Sequence, residues 1–106
     1  MARNRLTDRM VKQAREPGVL IDGAGLRLRI TANATTGKVR KSWVLRVTVK
    51  GGEVREIGLG SADDVALADA RERATEARKL ARDGIDPIVA RDAERAQRAL
   101  EAARTM

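Results

Sequence analysis

Alternation of apolar and polar residues dominates the middle of the chain. Between Ser42 and Val49 every second side chain is apolar, and Leu26 to Thr31 repeats the pattern upstream. A period of two is typical of half-buried strands. Gly51-Gly52 predicts a turn, after which Glu53 to Leu59 runs back as a further strand. The pattern therefore predicts three antiparallel strands, two of them joined as a hairpin.

A continuous apolar face decides between two possible registers for this hairpin. A two-residue loop would place Glu56 on the apolar face, whereas a three-residue loop opposes Val47 to Ile57. We therefore expect the longer loop, with Trp43 and Leu45 also facing the core. The outward side chains of the strands are then Arg27, Arg29, Arg46, Thr48, Lys50, Val54 and Glu56.

Three segments have the composition and spacing of helices. Thr7 can cap a first helix, which Pro17-Gly18 stops. Small apolar residues recur at three- and four-residue intervals from Leu67 to Asp83, and Gly84 ends that pattern. Asp86-Pro87 has the form of an N-cap followed by proline at the first helical position.

The segments between these elements are short or polar. Met1 to Arg5 is a basic arm, Val19 to Ile21 is long enough only for an edge strand, and Ala32 to Lys41 is a polar loop. The predicted class is α+β. It comprises a short N-terminal helix, a three-stranded antiparallel sheet with a possible short edge strand, one long packing helix and a C-terminal linker helix.

Composition removes several kinds of chemistry. The 106 residues include one Trp and no Cys, His, Tyr or Phe. Disulfides, thiol chemistry and the usual zinc ligands are therefore excluded, and no motif for carboxylate, lysine or phosphate-binding chemistry is present. No apolar run approaches a membrane span or a signal peptide. We expect a soluble, intracellular protein that has no enzymatic activity, cofactor, metal, small-molecule substrate or membrane partner.

Positive charge is concentrated in the part of the chain that contains the strands. The net charge is +7; residues 1–60 hold 13 basic and 5 acidic side chains, and residues 61–106 hold 9 and 10. Such asymmetry is typical of a surface that binds nucleic acid. The alternative is a solvated surface that only keeps the protein in solution.

Several short motifs occur in the order found in one family. They are Leu6-Thr7-Asp8 followed by Val11 and Ala14, Asp22-Gly23-Ala24-Gly25-Leu26, Trp43, Leu59-Gly60, Ala66-Leu67-Ala68-Asp69-Ala70-Arg71, and Gly84-Ile85-Asp86-Pro87. Together they resemble the N-terminal arm-type DNA-binding domain of phage and prophage integrases of the tyrosine recombinase class. Two positions depart from the family pattern. Ala62-Asp63 replaces a common aromatic-proline pair, and Ala66 replaces a common serine N-cap, so that this cap is lost or moved to Asp64.

The resemblance implies a division of labour between domains. In such recombinases this domain grips accessory arm-type sites in duplex DNA, while other domains bind the crossover core and exchange strands with a catalytic tyrosine. This chain has neither Tyr nor His and is not expected to cut DNA. The expected organisation is a basic arm (1–5), the arm-type domain (6–85) and a linker helix (86–106). That helix would lead to core-binding and catalytic domains that are absent from this chain. The whole protein would act in DNA integration and excision in the bacterial cytoplasm, near the nucleoid.

The resemblance also implies that the sheet lies against the major groove, with the helices behind. Arginine can bond guanine there in bidentate fashion. The residues predicted to read bases are Arg27, Arg29, Arg46, Thr48 and Lys50. Those predicted to contact phosphates are Arg3, Arg5, Lys38, Arg40 and Lys41. For each basic residue the alternative is plain solvation; for Trp43, whose phase favours the core, it is stacking on a single-stranded base.

Two other functions share parts of this pattern. A double-stranded RNA-binding domain has the same order of helix, three strands and helix, but it reads shape through helix and loop contacts. The predicted second helix starts with Ala66-Leu67-Ala68-Asp69, without a lysine cluster, which argues against that function. The remaining alternative is an interaction or dimerisation module that binds other integrase protomers or domains through the 87–104 helix.

Overall fold

The chain has an α+β architecture in which helices cover one face of an antiparallel sheet. The computed structural model describes residues 5–49 and 51–104. In chain order the elements are α1 (Asp8–Gln13), β1 (Gly18–Gly23), β2 (Leu26–Ala32), β3 (Val39–Val49), β4 (Glu53–Ser61), α2 (Leu67–Arg82) and α3 (Pro87–Arg104). The predicted fold class is confirmed.

The sheet has four strands where the sequence predicted three and a possible edge strand. Its order is β1-β2-β3-β4, and every neighbouring pair is antiparallel. β1 pairs with β2 from Gly18 opposite Ile30 onward, and Leu20 packs against the core. The brief Val19–Ile21 pattern understated β1, because the strand also includes Gly18, the buried Asp22 and Gly23, whose composition is that of a turn.

The predicted register of the β3–β4 hairpin is wrong by two residues, although its loop length and its assignment of faces are correct. Val49 pairs with Glu53 and Leu45 pairs with Ile57. An extra residue then enters β4 at Leu59, because Trp43 pairs with Gly60 but Val44 pairs with Gly58. Ile57 and Leu59 stay on the core face by ordinary alternation, as predicted, whereas the bulge changes the phase of Gly60 and Ser61 relative to β3, which a regular ladder could not predict.

The core lies between the sheet and α2, as the small-residue pattern predicted. Trp43 is fully buried, and its indole Nε1 donates a hydrogen bond to the Val65 carbonyl at 2.8 Å. α2 packs chiefly over β3 and buries Leu67 with the stripe Ala70, Ala74, Ala77 and Ala81. Core packing is therefore confirmed for Trp43, and base stacking is excluded because no ring face is exposed.

A buried carboxylate joins the N-terminal segment, β1 and α2. Asp22 is 2 % exposed, and its Oδ1 accepts the Leu6 amide at 2.9 Å. The Arg71 guanidinium donates to both oxygens of Asp22, at 3.0 and 2.9 Å, and also to the Leu6 carbonyl. We call Asp22, Arg71 and Leu6 the clasp. Burial raises the pKa of Asp22, but the bonds from Arg71 and Leu6 outweigh it and hold that pKa below its usual value.

The turn between β1 and β2 is held against β3. Gly25 has φ +90°, and its carbonyl accepts the Arg46 amide at 3.0 Å. A Cβ at this position would lie 2.2 Å from the Arg46 carbonyl oxygen, so no larger residue fits without moving the strand. The backbone of Arg46 is thereby fixed from both sides.

The starts of the three helices agree with the predicted capping, which for α2 was a cap either lost or moved to Asp64. The Thr7 hydroxyl accepts the Met10 amide at 3.2 Å, although α1 ends at Gln13, ahead of Pro17. Asp86 accepts the Ile88 amide at 2.9 Å at the start of α3. Ala66 gives α2 no side-chain cap, and Asp64 does not replace it. Within residues 5–49 and 51–104, no helix is long and apolar enough to span a membrane.

Candidate nucleic-acid interface

One face of the sheet is left uncovered by the helices; we call it the outer face. The strand registers and the burial of alternate residues assign its members. They are Val19 and Ile21 of β1, Arg27, Arg29 and Thr31 of β2, Arg40, Ser42, Val44, Arg46 and Thr48 of β3, and Val54, Glu56 and Gly58 of β4. Because this surface is broad and carries long polar side chains, it is the candidate interface.

Three arginines occupy the centre of the outer face. The side chain of Arg46 is 56 % exposed and that of Arg29 is 46 % exposed. Arg27 lies lower, with its Nε buried and without a hydrogen-bond partner. Val44 stands directly between Arg27 and Gly58 and is only 5 % exposed. Long aliphatic stems of neighbouring arginines account for this burial, since Gly58 has no side chain to cover it.

A glutamate stands among these arginines. Glu56 Oε1 lies 2.5 Å from Arg29 Nη2, and its Oε2 lies 3.9 Å from Arg46 Nη2. The hydrogen bond from Arg29 holds the pKa of Glu56 below its usual value. Among the described strand residues Glu56 is the only acidic side chain on the outer face. Because its pKa is low, Glu56 is ionised at neutral pH, and it places one negative charge among the arginines of the outer face.

Several arginines elsewhere in the described chain bond to other parts of the fold. Arg55 donates to Asp86 at 2.8 Å, Arg73 to the Leu59 carbonyl at 3.0 Å and Arg91 to the Gly58 carbonyl at 2.7 Å. The last two bonds cover carbonyls of the edge strand β4. Those arginines hold the fold together, whereas Arg29 and Arg46 lie on the open face with about half of each side chain exposed. The fold therefore distinguishes arginines that stabilise the protein from arginines that a ligand can reach, which a count of charges cannot do.

Four of the five predicted base-reading residues come together. Arg27, Arg29, Arg46 and Thr48 all lie on the outer face, and Lys50 lies outside the described residues. The sequence did not assign a role to the exposed aliphatic side chains Val19, Ile21 and Val54 of the same face. Val19 and Ile21 were expected only in a possible edge strand, so their position beside the arginines of β2 was not predicted.

The residues predicted to contact phosphate are dispersed. Lys38 and Arg40 line one small depression with Thr31, Asn33 and Thr36, at the β2–β3 end of the sheet. Arg40 belongs to β3 and pairs with Thr31, so it is on the outer face and not in a loop. Arg5 is exposed near the clasp, where its amide donates to the Asp22 carbonyl. Arg3 lies outside the described residues.

The predicted loop position of Lys41 is wrong. β3 begins at Val39, and Lys41 pairs with Ile30 on the side that faces the helices. Its Nζ donates to the Val11 carbonyl at 2.6 Å and to the Lys12 carbonyl at 3.0 Å. Lys41 therefore satisfies carbonyls near the end of α1, where a cation is favoured by the helix dipole. The polar composition of residues 32–41 predicted a loop there, and no local pattern indicated that β3 begins at Val39.

No cluster of three or more potential metal ligands occurs in the part of the chain that the structure describes. An antiparallel sheet that presents arginines and hydroxyls on one open face, with its helices behind, is an arrangement suited to binding nucleic acid. The chain belongs to the arm DNA-binding domain family, whose model matches residues 6–94. The recognition from sequence motifs is thereby confirmed. This domain is a DNA-binding, non-catalytic module. No curated protein gave a significant match to the chain.

Proposed function

We propose that this chain binds arm-type sites in duplex DNA with sequence specificity, as the N-terminal domain of a tyrosine-recombinase integrase. In that role it would support integration and excision of a phage or mobile element in the bacterial cytoplasm. The observation that carries the proposal is the cluster Arg27, Arg29 and Arg46 on the only broad sheet surface that the described helices leave open.

Base reading would take place in the major groove. That groove admits a two-stranded ribbon, and bidentate arginine–guanine contacts are its commonest specific interaction. Arg29 and Arg46 are the most exposed of the three central arginines and are assigned to bases. Thr48 continues the same row of β3, and Lys50 would extend it at the hairpin. Val19, Ile21 and Val54 flank the arginines and suit thymine methyl groups.

Phosphate contacts would bracket this reading surface. Lys38 and Arg40 lie at the end of the sheet where β2 meets β3, and Arg5 lies at the opposite end of β2, beside Asp22. Arg3 is assigned with Arg5. Such contacts set orientation and register without selecting sequence. Lys41 is omitted from the proposed interface because its ammonium group is bonded to α1 carbonyls.

Selection from a randomised duplex pool, followed by fluorescence anisotropy at several salt concentrations, tests the proposal. Arg46→Ala should weaken binding to the selected site by about 1–3 kcal/mol if Arg46 reads a base. Lys79→Ala removes the same charge from the exposed surface of α2 and should leave affinity nearly unchanged. Preferential binding to duplex RNA, or equal losses in the two variants, would contradict the proposal.

The phosphate assignment has a separate signature. Lys38→Ala should weaken selected and unselected duplexes alike and reduce the slope of log K against log salt by about 1. Arg98→Ala is the control, since Arg98 is exposed on α3 and pairs with Glu94 on its own helix. A change in base preference on replacing Lys38 would instead make it a reading residue.

The recombinase role concerns the intact protein. There, α3 would lead to the core-binding and catalytic domains, and its exposed Val89 and Leu100 are available to a neighbouring domain or protomer. Replacing Arg29 and Arg46 in the intact protein should abolish recombination that depends on arm sites while leaving core-site cleavage intact. Loss of cleavage as well would show that the domain does more than grip DNA.

A further inference from the structure

We propose that Glu56 is a positioning residue for sequence specificity, which holds the Arg29 guanidinium over the outer face so that it selects guanine. The inference rests on the proposed function, because it concerns how the same surface discriminates between sequences. Glu56 was placed on the outer face by its sequence pattern, but it was given no role there.

The geometry of the pair supports this role. Arg29 belongs to β2 and Glu56 to β4, so the Arg29 side chain must cross β3 to donate to Oε1 at 2.5 Å. Its path passes the row of Val44 and Gly58, where the glycine leaves open space. The bond to Glu56 restrains the Arg29 guanidinium above the outer face, while 46 % of its side chain stays exposed. Without Glu56, the same side chain would extend freely into solvent.

Electrostatics explains why a carboxylate at this position favours specificity over affinity. Phosphates are attracted by arginine and repelled by an ionised glutamate, so Glu56 lowers binding to any DNA regardless of sequence. A restrained guanidinium with a fixed partner loses less entropy when it forms two bonds to guanine, and it cannot swing to a phosphate instead. A base other than guanine then leaves N–H donors of the guanidinium without acceptors. The expected result is a higher ratio of specific to non-specific binding.

Stability does not explain the pair equally well. Both side chains are exposed by more than a third, and exposed ion pairs contribute little to folding. Glu53 offers the matched comparison, because it is on the same strand and pairs with Arg55 at 2.6 Å. It lies in the row of Val49, on the opposite face of the sheet from Glu56.

The first experiment compares wild type, Glu56→Gln and Glu53→Gln in selection from a randomised duplex pool, with anisotropy on selected and scrambled duplexes. Glu56→Gln should bind scrambled DNA several-fold more tightly, with a salt slope steeper by up to about 1. Its preference for selected over scrambled DNA should fall roughly five- to hundredfold, the value of one bidentate base contact. Glu53→Gln should match wild type, and Trp43 fluorescence should show all three folded.

Epistasis distinguishes positioning from direct reading. If Glu56 acts through Arg29, Arg29→Ala and the double variant Arg29→Ala/Glu56→Gln should select the same motif. A further change of motif in the double variant would mean that Glu56 acts independently of Arg29, through Arg46 or by reading a base itself, which overturns the inference. The inference would also be overturned if Glu56→Gln selected the same motif as wild type with the same preference for selected over scrambled DNA. A wild-type chain that selects no duplex removes the proposed function and this inference together, whereas an unaltered Glu56→Gln motif removes the inference alone.

Discussion

Replacing Asp22 by Asn tests whether the clasp holds the N-terminal segment and α2 to the sheet. The change conserves shape but removes the charge that faces Arg71, and it directs an amide N–H₂ group toward donors. The Asp22 side chain is 3 % exposed, and that of Arg71 is 31 % exposed. Three hydrogen bonds to the carboxylate are affected, from Leu6 and twice from Arg71.

The expected loss follows from this burial. Breaking a fully buried ion pair costs about 3–5 kcal/mol, because it leaves one charge without a partner. Arg71 can regain part of its hydration, so we expect a loss of about 2–3 kcal/mol in the free energy of unfolding. For a chain of this size that corresponds to a fall in Tm of roughly 10–20 °C. Urea denaturation followed by Trp43 fluorescence measures it, since Trp43 is the only aromatic residue and is buried.

The pH dependence gives an independent check on the same group. The folded-state pKa of Asp22 is lowered, so its contribution to stability is complete above the unfolded value of about 4. It is lost as pH falls through the lower folded value. The difference between wild type and Asp22→Asn should therefore be constant near neutral pH and shrink below about pH 4. Glu53→Gln, which breaks an exposed pair, should cost less than about 1 kcal/mol. A loss of similar size in Asp22→Asn would refute the clasp.

Three further perturbations test other contacts of the fold. Gly25→Ala should cost more than about 2 kcal/mol in urea denaturation, because its Cβ would clash with a strand carbonyl at 2.2 Å, whereas Gly58→Ala meets open space and should cost less than about 1 kcal/mol. Lys41→Ala should lower hydrogen-exchange protection of α1 by about 1–2 kcal/mol and leave the salt slope of DNA binding unchanged; a shallower slope would restore its phosphate role. Asp86→Ala should cost about 1–2 kcal/mol and reduce helicity by circular dichroism, because the α3 cap and the bond from Arg55 are both lost; unchanged helicity would contradict the capping.

The elements were predictable because each has a strong local period. Alternation in Leu26–Thr31 and Ser42–Val49 identified two strands and their faces, and the alanine stripe identified α2 within one residue. The assignment of residues to the two faces stays correct when the register is wrong by two residues, because side chains on a strand alternate between faces with a period of two. The outer-face positions of Arg27, Arg29 and Arg46 could therefore be predicted although the pairing of β3 with β4 was not.

What the sequence missed depends on tertiary contact. The bulge at Leu59 and the extension of β3 to Val39 accompany contacts with distant residues, Gly60 with Val65 and Lys41 with α1, which no local pattern encodes. Asp22 followed by glycine has the composition of a turn, and nothing nearby in sequence marks a buried acceptor for Arg71, 49 residues away. The motifs containing Asp22 and Arg71 were both part of the family resemblance, but only the fold shows that they bond to each other.

A series of hydrogen bonds connects the clasp to the outer face through the β1–β2 turn. Asp22 is anchored to α2 by Arg71, and Gly25, three residues on, is bonded to the Arg46 amide. Arg46 in turn faces Glu56 across the β3–β4 ladder, where Glu56 holds Arg29. Arg46 is thus held through its backbone by the β1–β2 turn, and the Arg29 guanidinium is held by one carboxylate on the outer face. If these arginines read bases as proposed, a surface restrained in this way would lose little conformational freedom on binding, and it would favour discrimination between DNA sequences over attraction to all of them.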